Sequence, residues 1–548
     1  MMVERSGQVW RPRAPDGWSV AAVAIAALVL LPVLSVVALA FRPGENVWPH
    51  LLSTALPRYL GNTLVLMAGV GLLASLVGTG AAWLVTMYRF PGRGWLQWAL
   101  LLPLAVPAYV GAYALVDLLE YAGPVQTGLR ALMGWERPGD YAFPAVRSRG
   151  GAVLVLSGAL YPYVYLLARA AFREQSGAAF EVARALGTGP WGRFLRVGLP
   201  LARPAIAAGA AVAMMETVGD FGAVDHFAVQ TLTTGIFSIW LQAGNLAGAA
   251  QLSCGVLLLA VALVTLEKWS RRRARTHPPA RGHRPPVPET LAGWRAALAT
   301  LLCLLPFLGG FVLPVAVLGA HALDAEQWAA PGLLRALWNS VAVGGAAAAL
   351  TLALAVVMVY GARLSRRRLP VLLLPVTAIG YAAPGAVLAI GVLVPLAALD
   401  HAVADAVERV LGVDPGLLLT GSAAALALAW VVRFFAVAQG ATDAALARVP
   451  PSLPMAARSL GRDAGGTLRA VHLPLVRASM GSALLLVFVD CVKELPATLL
   501  LRPFDFDTLA TRVHAKASLE ALGQAAPAAL TITAVGLVAT VLLARANR

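Results

Sequence analysis

Residues 181–200, EVARALGTGPWGRFLRVGLP, are answered 274 positions later by residues 455–474, MAARSLGRDAGGTLRAVHLP. In each copy a short Ala- and Arg-bearing stretch reaches a glycine, Gly187 or Gly461. After nine intervening residues comes Val-x-Leu-Pro, ending at Pro200 or Pro474. Alanine favours helix, and its small side chain lets another protein come close to the backbone. Glycine reaches positive φ and ends a helix. Proline suits the opening of a helix, where no N–H is needed. Each copy therefore predicts a short helix, a turn and the start of a longer helix. Two copies at a fixed offset predict a duplicated chain.

The chain around these loops is apolar. Of 548 residues, 59% are hydrophobic and 13% charged, with mean hydropathy +0.74. A soluble domain needs a polar shell that this composition cannot supply. A bilayer core about 30 Å thick is crossed by about 20 apolar residues in a helix, which satisfies its own backbone polar groups. Twelve such runs are predicted: near 19–41, 61–88, 96–118, 150–172, 205–225 and 246–266, then near 295–320, 338–360, 371–397, 417–438, 476–498 and 523–544. The first exceeds a signal peptide's apolar core in length and is read as an uncleaved span.

Counting Arg433 with the loops and leaving Lys493 in a helix, 31 Lys and Arg fall on the side of the N-terminus and the repeated loops, and 11 on the other. That bias marks the first side as cytoplasmic, with both termini on it. The net charge of +16 thus reflects short loops and not nucleic-acid binding. Residues 267–294 are charged and hold five prolines, which predicts a cytoplasmic linker. It divides the chain into 1–266 and 295–548. Other repeats agree: Asn62-Thr63 and Asn339-Ser340 open the second and eighth helices, and Leu102-Pro103 recurs as Leu374-Pro375. Six helices per half make the repeats parallel. Cys254, Cys303 and Cys491 are far apart and show no metal or disulfide spacing.

The repeated loops resemble the E-A-A-x3-G-x9-I-x-L-P loop of bacterial binding-protein-dependent ABC importer permeases. By that resemblance the fold is all-α and MetI-like, in the inner membrane. Glu181, Ala183, Gly187 and Pro200, with Ala456, Ala457, Gly461 and Pro474, would then form two coupling helices seated on two ATPase subunits. The copies depart from the pattern at Val182, where Ala is usual, and at Met455, where Glu is usual, so asymmetric docking is expected. A P-loop needs Gly-Lys-Ser/Thr, and the three lysines follow Glu267, Val492 and Ala515. ATP and Mg are therefore expected on the partner ATPase. This chain is expected to hold no cofactor or metal and to be no enzyme.

The stretches around Asp220-Phe221-Gly222 and Lys493 to Pro503 look like those of fused iron(III) permeases. The resemblance implies iron(III) delivered by a periplasmic binding protein, with 119–149 and 498–522 as its docking surface. Thiamine, phosphonate, sulfate or polyamine transport and an ion-gradient-driven carrier are the alternatives. At the 274 offset, Glu216 pairs with Asp490 and Asp220 with Glu494. Acids inside a membrane are costly, so they are paired or face water. Acids four apart share a helical face. Two such faces would put four carboxylates around a central passage or gate, or else Lys493, Arg502 and nearby polar groups pair with them structurally.

Overall fold

The computed structural model describes residues 17–42, 46–272, 286–365 and 368–546. Among the described residues, eleven helices are long and apolar enough to cross a membrane, and a bent pair, taken as one span, makes twelve. In chain order these are α1 Gly17–Ala40, α2 Leu51–Met87, α3 Arg93–Ala105 with Ala108–Met133, α4 Arg149–Arg173, α5 Pro190–Gly219 and α6 Leu246–Glu267. The second set is α7 Gly293–His321, α8 Leu333–Leu364, α9 Gly385–Leu411, α10 Ala423–Ala447, α11 Ala464–Lys493 and α12 Leu522–Leu542. Large apolar side chains such as Leu72 and Leu76 remain exposed on the outer surface, as lipid requires.

Several boundaries differ from expectation, each for a local reason. The third span is not continuous but bent by 93°. Val106, ahead of Pro107, is extended with ψ 119°, because a residue before proline is driven out of the helical region. Ala383, ahead of Pro384, has ψ 121°, so the expected span 371–397 also breaks, and α9 runs on to Leu411. The structural repeat is therefore Pro107 with Pro384, and Leu102-Pro103 is not the counterpart of Leu374-Pro375. Helices α2 and α8 begin about a turn or more early, which puts Asn62-Thr63 and Asn339-Ser340 inside them. Pro200 and Pro474 stand in the first turn of the α-helical stretches Leu199–Gly219 and Leu473–Lys493, though neither opens its span. Each follows a π turn, Phe194–Gly198 or Leu468–His472, within α5 or α11. The wider turn lets the chain run through a residue that lacks an N–H and crowds the preceding turn.

The linker also differs at its ends. The helix containing α6 continues to Arg272. Glu289–Thr290 forms a short parallel ladder with Tyr88–Arg89. Most of the expected linker, residues 273–285, lies outside the described residues.

The leading helices are exchanged between the repeats. Helix α1 packs on α8, α9 and α10 as well as α6, while α7 packs on α2, α3 and α4 as well as α12. Both large apolar cores consequently draw residues from both repeats. Glycines make the close approaches. A Cβ on Gly361 would meet the Trp18 carbonyl at 2.5 Å, and one on Gly391 would strike that of Pro32. Small residues let membrane helices come this near.

Within the first repeat, a Cβ on Gly78 would sit 2.8 Å from the Tyr161 carbonyl oxygen, and one on Gly209 2.6 Å from the Val164 Cα. The neighbours there are backbone and cannot rotate away. Gly78→Leu is expected to cost at least the ~1–3 kcal/mol of ordinary overpacking. A lowered melting temperature in detergent would show it, and an unchanged one would mean that α2 and α4 can separate freely.

Candidate functional site

Helices α5 and α11 stop at the same repeat position, and there the acids part company. Glu216 and Asp490 lie on the helices. Asp220 and Glu494 lie just beyond them, with ψ 133° and 124°. The acids four apart do not share a helical face as expected. Instead, Asp220 and Glu494 each turn to open the next short helix. Asp220 Oδ1 accepts from Ala223 N–H at 2.9 Å and Val224 N–H at 3.2 Å, at the start of Gly222–His226. Glu494 accepts from Ala497 N–H at 2.9 Å, Thr498 N–H at 3.0 Å and the Thr498 hydroxyl at 2.7 Å, at the start of Pro496–Leu501. A carboxylate here satisfies N–H groups that a helix start leaves unpaired.

All four acids nevertheless border one cavity of about 140 Å³, shared with Tyr163, Tyr381, Arg433 and Lys493. Each has a partner. Lys493 Nζ lies 3.0 Å from Asp490 and donates to the Leu104 carbonyl at 3.3 Å. The Tyr381 hydroxyl donates to Glu216 at 2.9 Å. Glu494 also accepts from the Trp430 indole at 3.2 Å and faces Arg433 at 3.9 Å. Arg502, expected near these acids, pairs with Asp507 instead. Four carboxylates against two cations leave the cavity lining negative. Its wall includes the α3 elbow at Val106 and Pro107, so the breaks in α3, α5 and α11 all meet it.

The repeated loops form a second candidate site. Gly177–Ala185 and Ser452–Ser459 are helices that end alike. Gly187, at φ +77°, donates to Arg184 C=O, and Thr188 donates to Ala183 C=O. Gly461, at φ +82°, and Arg462 do the same to Arg458 and Ala457. These paired bonds make the left-handed glycine ending seen at many helix C-termini. Ala183 and Ala457 are buried against the bundle, whereas Leu186 and Leu460 are 79% and 83% exposed. Val182 and Met455 are exposed too, as are Glu181 and Ala456. Each helix thus shows a compact apolar tip outward.

Comparison with known proteins agrees with this plan. Residues 74–276 match the family described as binding-protein-dependent transport system inner membrane component. The chain is 26% identical over 528 residues to the Fe(3+)-transport system permease protein FbpB 2 of Haemophilus influenzae, covering 95% of this chain and 96% of that one. The chain is thus similar to binding-protein-dependent importer permeases along nearly its whole length. It is also 28% identical over 200 residues to the Escherichia coli molybdenum transport system permease protein ModB, covering 35% of this chain and 84% of that one. To the Escherichia coli sulfate transport system permease protein CysT it is 29% identical over 143 residues, covering 26% and 48%. This ABC importer permease is a multi-pass, MetI-like membrane protein, and its relatives are named as permeases and not as enzymes.

Three side chains that line the permease's cavity or bond its acids escape a reading by loops and motifs. Charge counting places Arg433 among the loop arginines, yet it sits within α10 with a side chain 13% exposed, which removes one from the inside count. Its Nη1 has no hydrogen-bond partner. The signal was the run Trp430-Val-Val-Arg433-Phe-Phe, a lone cation amid apolar neighbours. Trp430 and Tyr381 gave no comparable signal.

The repeat at the other end of the cavity-facing segments is exact in kind. Asn62 Nδ2 donates to Gln230 C=O at 2.8 Å and Asn339 Nδ2 to Asp507 C=O at 2.9 Å. Leu232 N–H donates to the Thr63 hydroxyl at 3.0 Å and Leu509 N–H to that of Ser340 at 2.8 Å. Thr231 with Thr234, and Thr508 with Thr511, box the starts of the following helices. Residues 498–522 are accordingly no loose outer loop, since Leu509, Ala510 and Val513 are fully buried.

Proposed function

We propose that this permease conducts iron(III), handed over by a periplasmic binding protein, while two ATP-binding cassette subunits seat on the helices Gly177–Ala185 and Ser452–Ser459. The repeated helices with exposed apolar tips carry this reading. The excess of Lys and Arg on their side supports a cytoplasmic placement for them and for both termini. The partner subunits hold ATP and Mg. Their closure on ATP drags the two helices and switches the passage between its two faces. Glu216, Asp220, Asp490 and Glu494 form its gate, and their negative excess favours a cation. Similarity to the Fe(3+) permease along nearly the whole chain supports iron as cargo.

A second reading, oxyanion transport, draws on Arg433 and Lys493 at the cavity and on the molybdenum and sulfate permeases among the relatives. Uptake of radiolabelled iron(III), molybdate and sulfate by a strain lacking this chain, with and without its restoration, separates the two. Restored iron uptake alone is expected. Restored molybdate or sulfate uptake without iron would overturn the cargo and leave the coupling reading standing.

A further inference from the structure

The two coupling helices are tied to the bundle by unlike chemistry. Beside the first, the chain arrives as the strand Glu289–Thr290, paired in parallel with Tyr88–Arg89. Leu291 N–H donates to Arg89 C=O at 2.9 Å, and α7 begins two residues later. Both terminal nitrogens of Arg193 grip the Glu289 carboxylate, at 2.5 and 3.1 Å, and Arg184 lies 3.5 Å away. Arg184 belongs to the first coupling helix, and Arg193 to the first turn of α5, which follows it. The Arg193 guanidinium holds Glu289 below the usual carboxylate range, so the pair is ionic at neutral pH.

Beside the second coupling helix the contact is aromatic. Trp18, at the start of α1, meets Tyr360 edge-on at 5.1 Å, and Tyr360 meets His472 at 5.3 Å. The Tyr360 hydroxyl donates to Ala464 C=O at 2.8 Å. Arg458, which holds Arg184's place in the repeat, lies against that hydroxyl. Each exchanged leading helix therefore reaches the coupling loop of the other repeat, α7 through an ion pair and α1 through rings.

We infer that Glu289 is a positioning residue of the ATP-driven cycle, a latch that carries movement of the first coupling helix into α7. This rests on the coupling reading above. Helix α7 is placed to pass the movement on. A Cβ on Gly310 would touch Gly158 and Pro103, and His321 Nε2 lies 2.9 Å from Asp117, so α7 bears on α3 at its middle and at its far end. A two-point grip between planar groups fixes direction as well as distance, which a movable strap needs and a flexible linker lacks.

The test uses the assembled permease and ATPase in nanodiscs, with spin labels at Leu132→Cys and Leu323→Cys in a Cys254→Ser background. Both labelled positions are more than 80% exposed, near the far ends of α3 and α7. The distance between labels is read without nucleotide and with ATP plus vanadate, so no cargo is required. In the otherwise unchanged permease, ATP is expected to shift the distance distribution while the ATPase stays bound. Glu289→Gln should keep the ATPase but reduce the ratio of shifted to unshifted molecules by about fivefold, the low end of coupling between sites.

Arg193→Lys keeps the charge but breaks the two-point grip. It should lose part of the shift, and it decides the matter alone if Glu289→Gln does not fold. A full shift with bound ATPase in the folded variants overturns the latch. Failure of the unchanged permease to bind an ATPase would instead overturn the coupling reading itself.

Discussion

Changing Leu186 and Leu460 together to Asp is expected to weaken ATPase binding by on the order of a thousandfold, enough to lose the subunit on a size-exclusion column. Truncating one buried anchor at an interface commonly costs about 2 kcal/mol or more, and two independent anchors double that. The two leucines qualify because each caps the apolar tip of a coupling helix while remaining at least 79% exposed. In a solvated loop such exposure has no stabilising role in the permease, so the fold should be untouched and melting unchanged. The single variants should differ. Leu186 stands beside Glu181 and Val182, Leu460 beside Met455 and Ala456, so the first surface offers a charge that the second lacks. Met455→Glu tests this difference directly, since it should shift the second surface toward the salt dependence of the first. Co-elution of the ATPase with the double variant at wild-type stoichiometry would place the docking surface elsewhere.

How far the sequence led can be judged from particular residues. Twelve spans and the two short glycine-ended helices of the repeated loops were legible because a lipid-spanning helix and a glycine-ended turn are local events, written in neighbouring residues. The helix breaks were harder. Pro107 and Pro384 carry the signal, but membrane helices tolerate proline, as Pro162 within α4 and Pro204 within α5 show. Only packing decides which proline breaks its helix.

The acids show the same limit. Glu216, Asp220, Asp490 and Glu494 were found, and they do surround one cavity. That Asp220 and Glu494 would leave their helices to cap the next ones depended on where α5 and α11 stop. Arg433 was misplaced because charge counting assigns a cation to the nearest loop, while depth in the membrane is a tertiary property. The exchange of α1 and α7 had no sequence signal at all. It rests on backbone contacts at Gly361, Gly391 and Gly310, which look like any other small residue in an apolar run.

Glu494→Ala is expected to be the most destabilising single change at the cavity, and its repair separates the two readings of the acids. The glutamate side chain is 2% exposed and Arg433 faces it. Removing one member of a buried pair leaves the other charge uncompensated and costs about 3–5 kcal/mol. Loss of the cap on Pro496–Leu501 adds about 1 kcal/mol. Asp220→Ala removes chiefly a cap, since Asp220 accepts from the N–H groups of Ala223 and Val224 and has no cation within ion-pair distance among the described residues, and should cost about 1 kcal/mol. Thermal melting in detergent would rank the two, and equal losses would mean that Arg433 draws little from Glu494.

Replacing both partners together, Glu494→Met with Arg433→Met, removes the stranded charge and should recover most of the lost stability, because an apolar pair of similar volume often replaces a buried ion pair without penalty. Transport then discriminates. If Glu494 only braces the break between α11 and the following helix, transport returns with stability. If the carboxylate also meets cargo, stability returns and transport does not, since the cavity has lost an acid on the passage while keeping its shape. The second result is expected, because Glu494 borders the cavity beside Glu216, Asp220 and Asp490 as well as bracing the break.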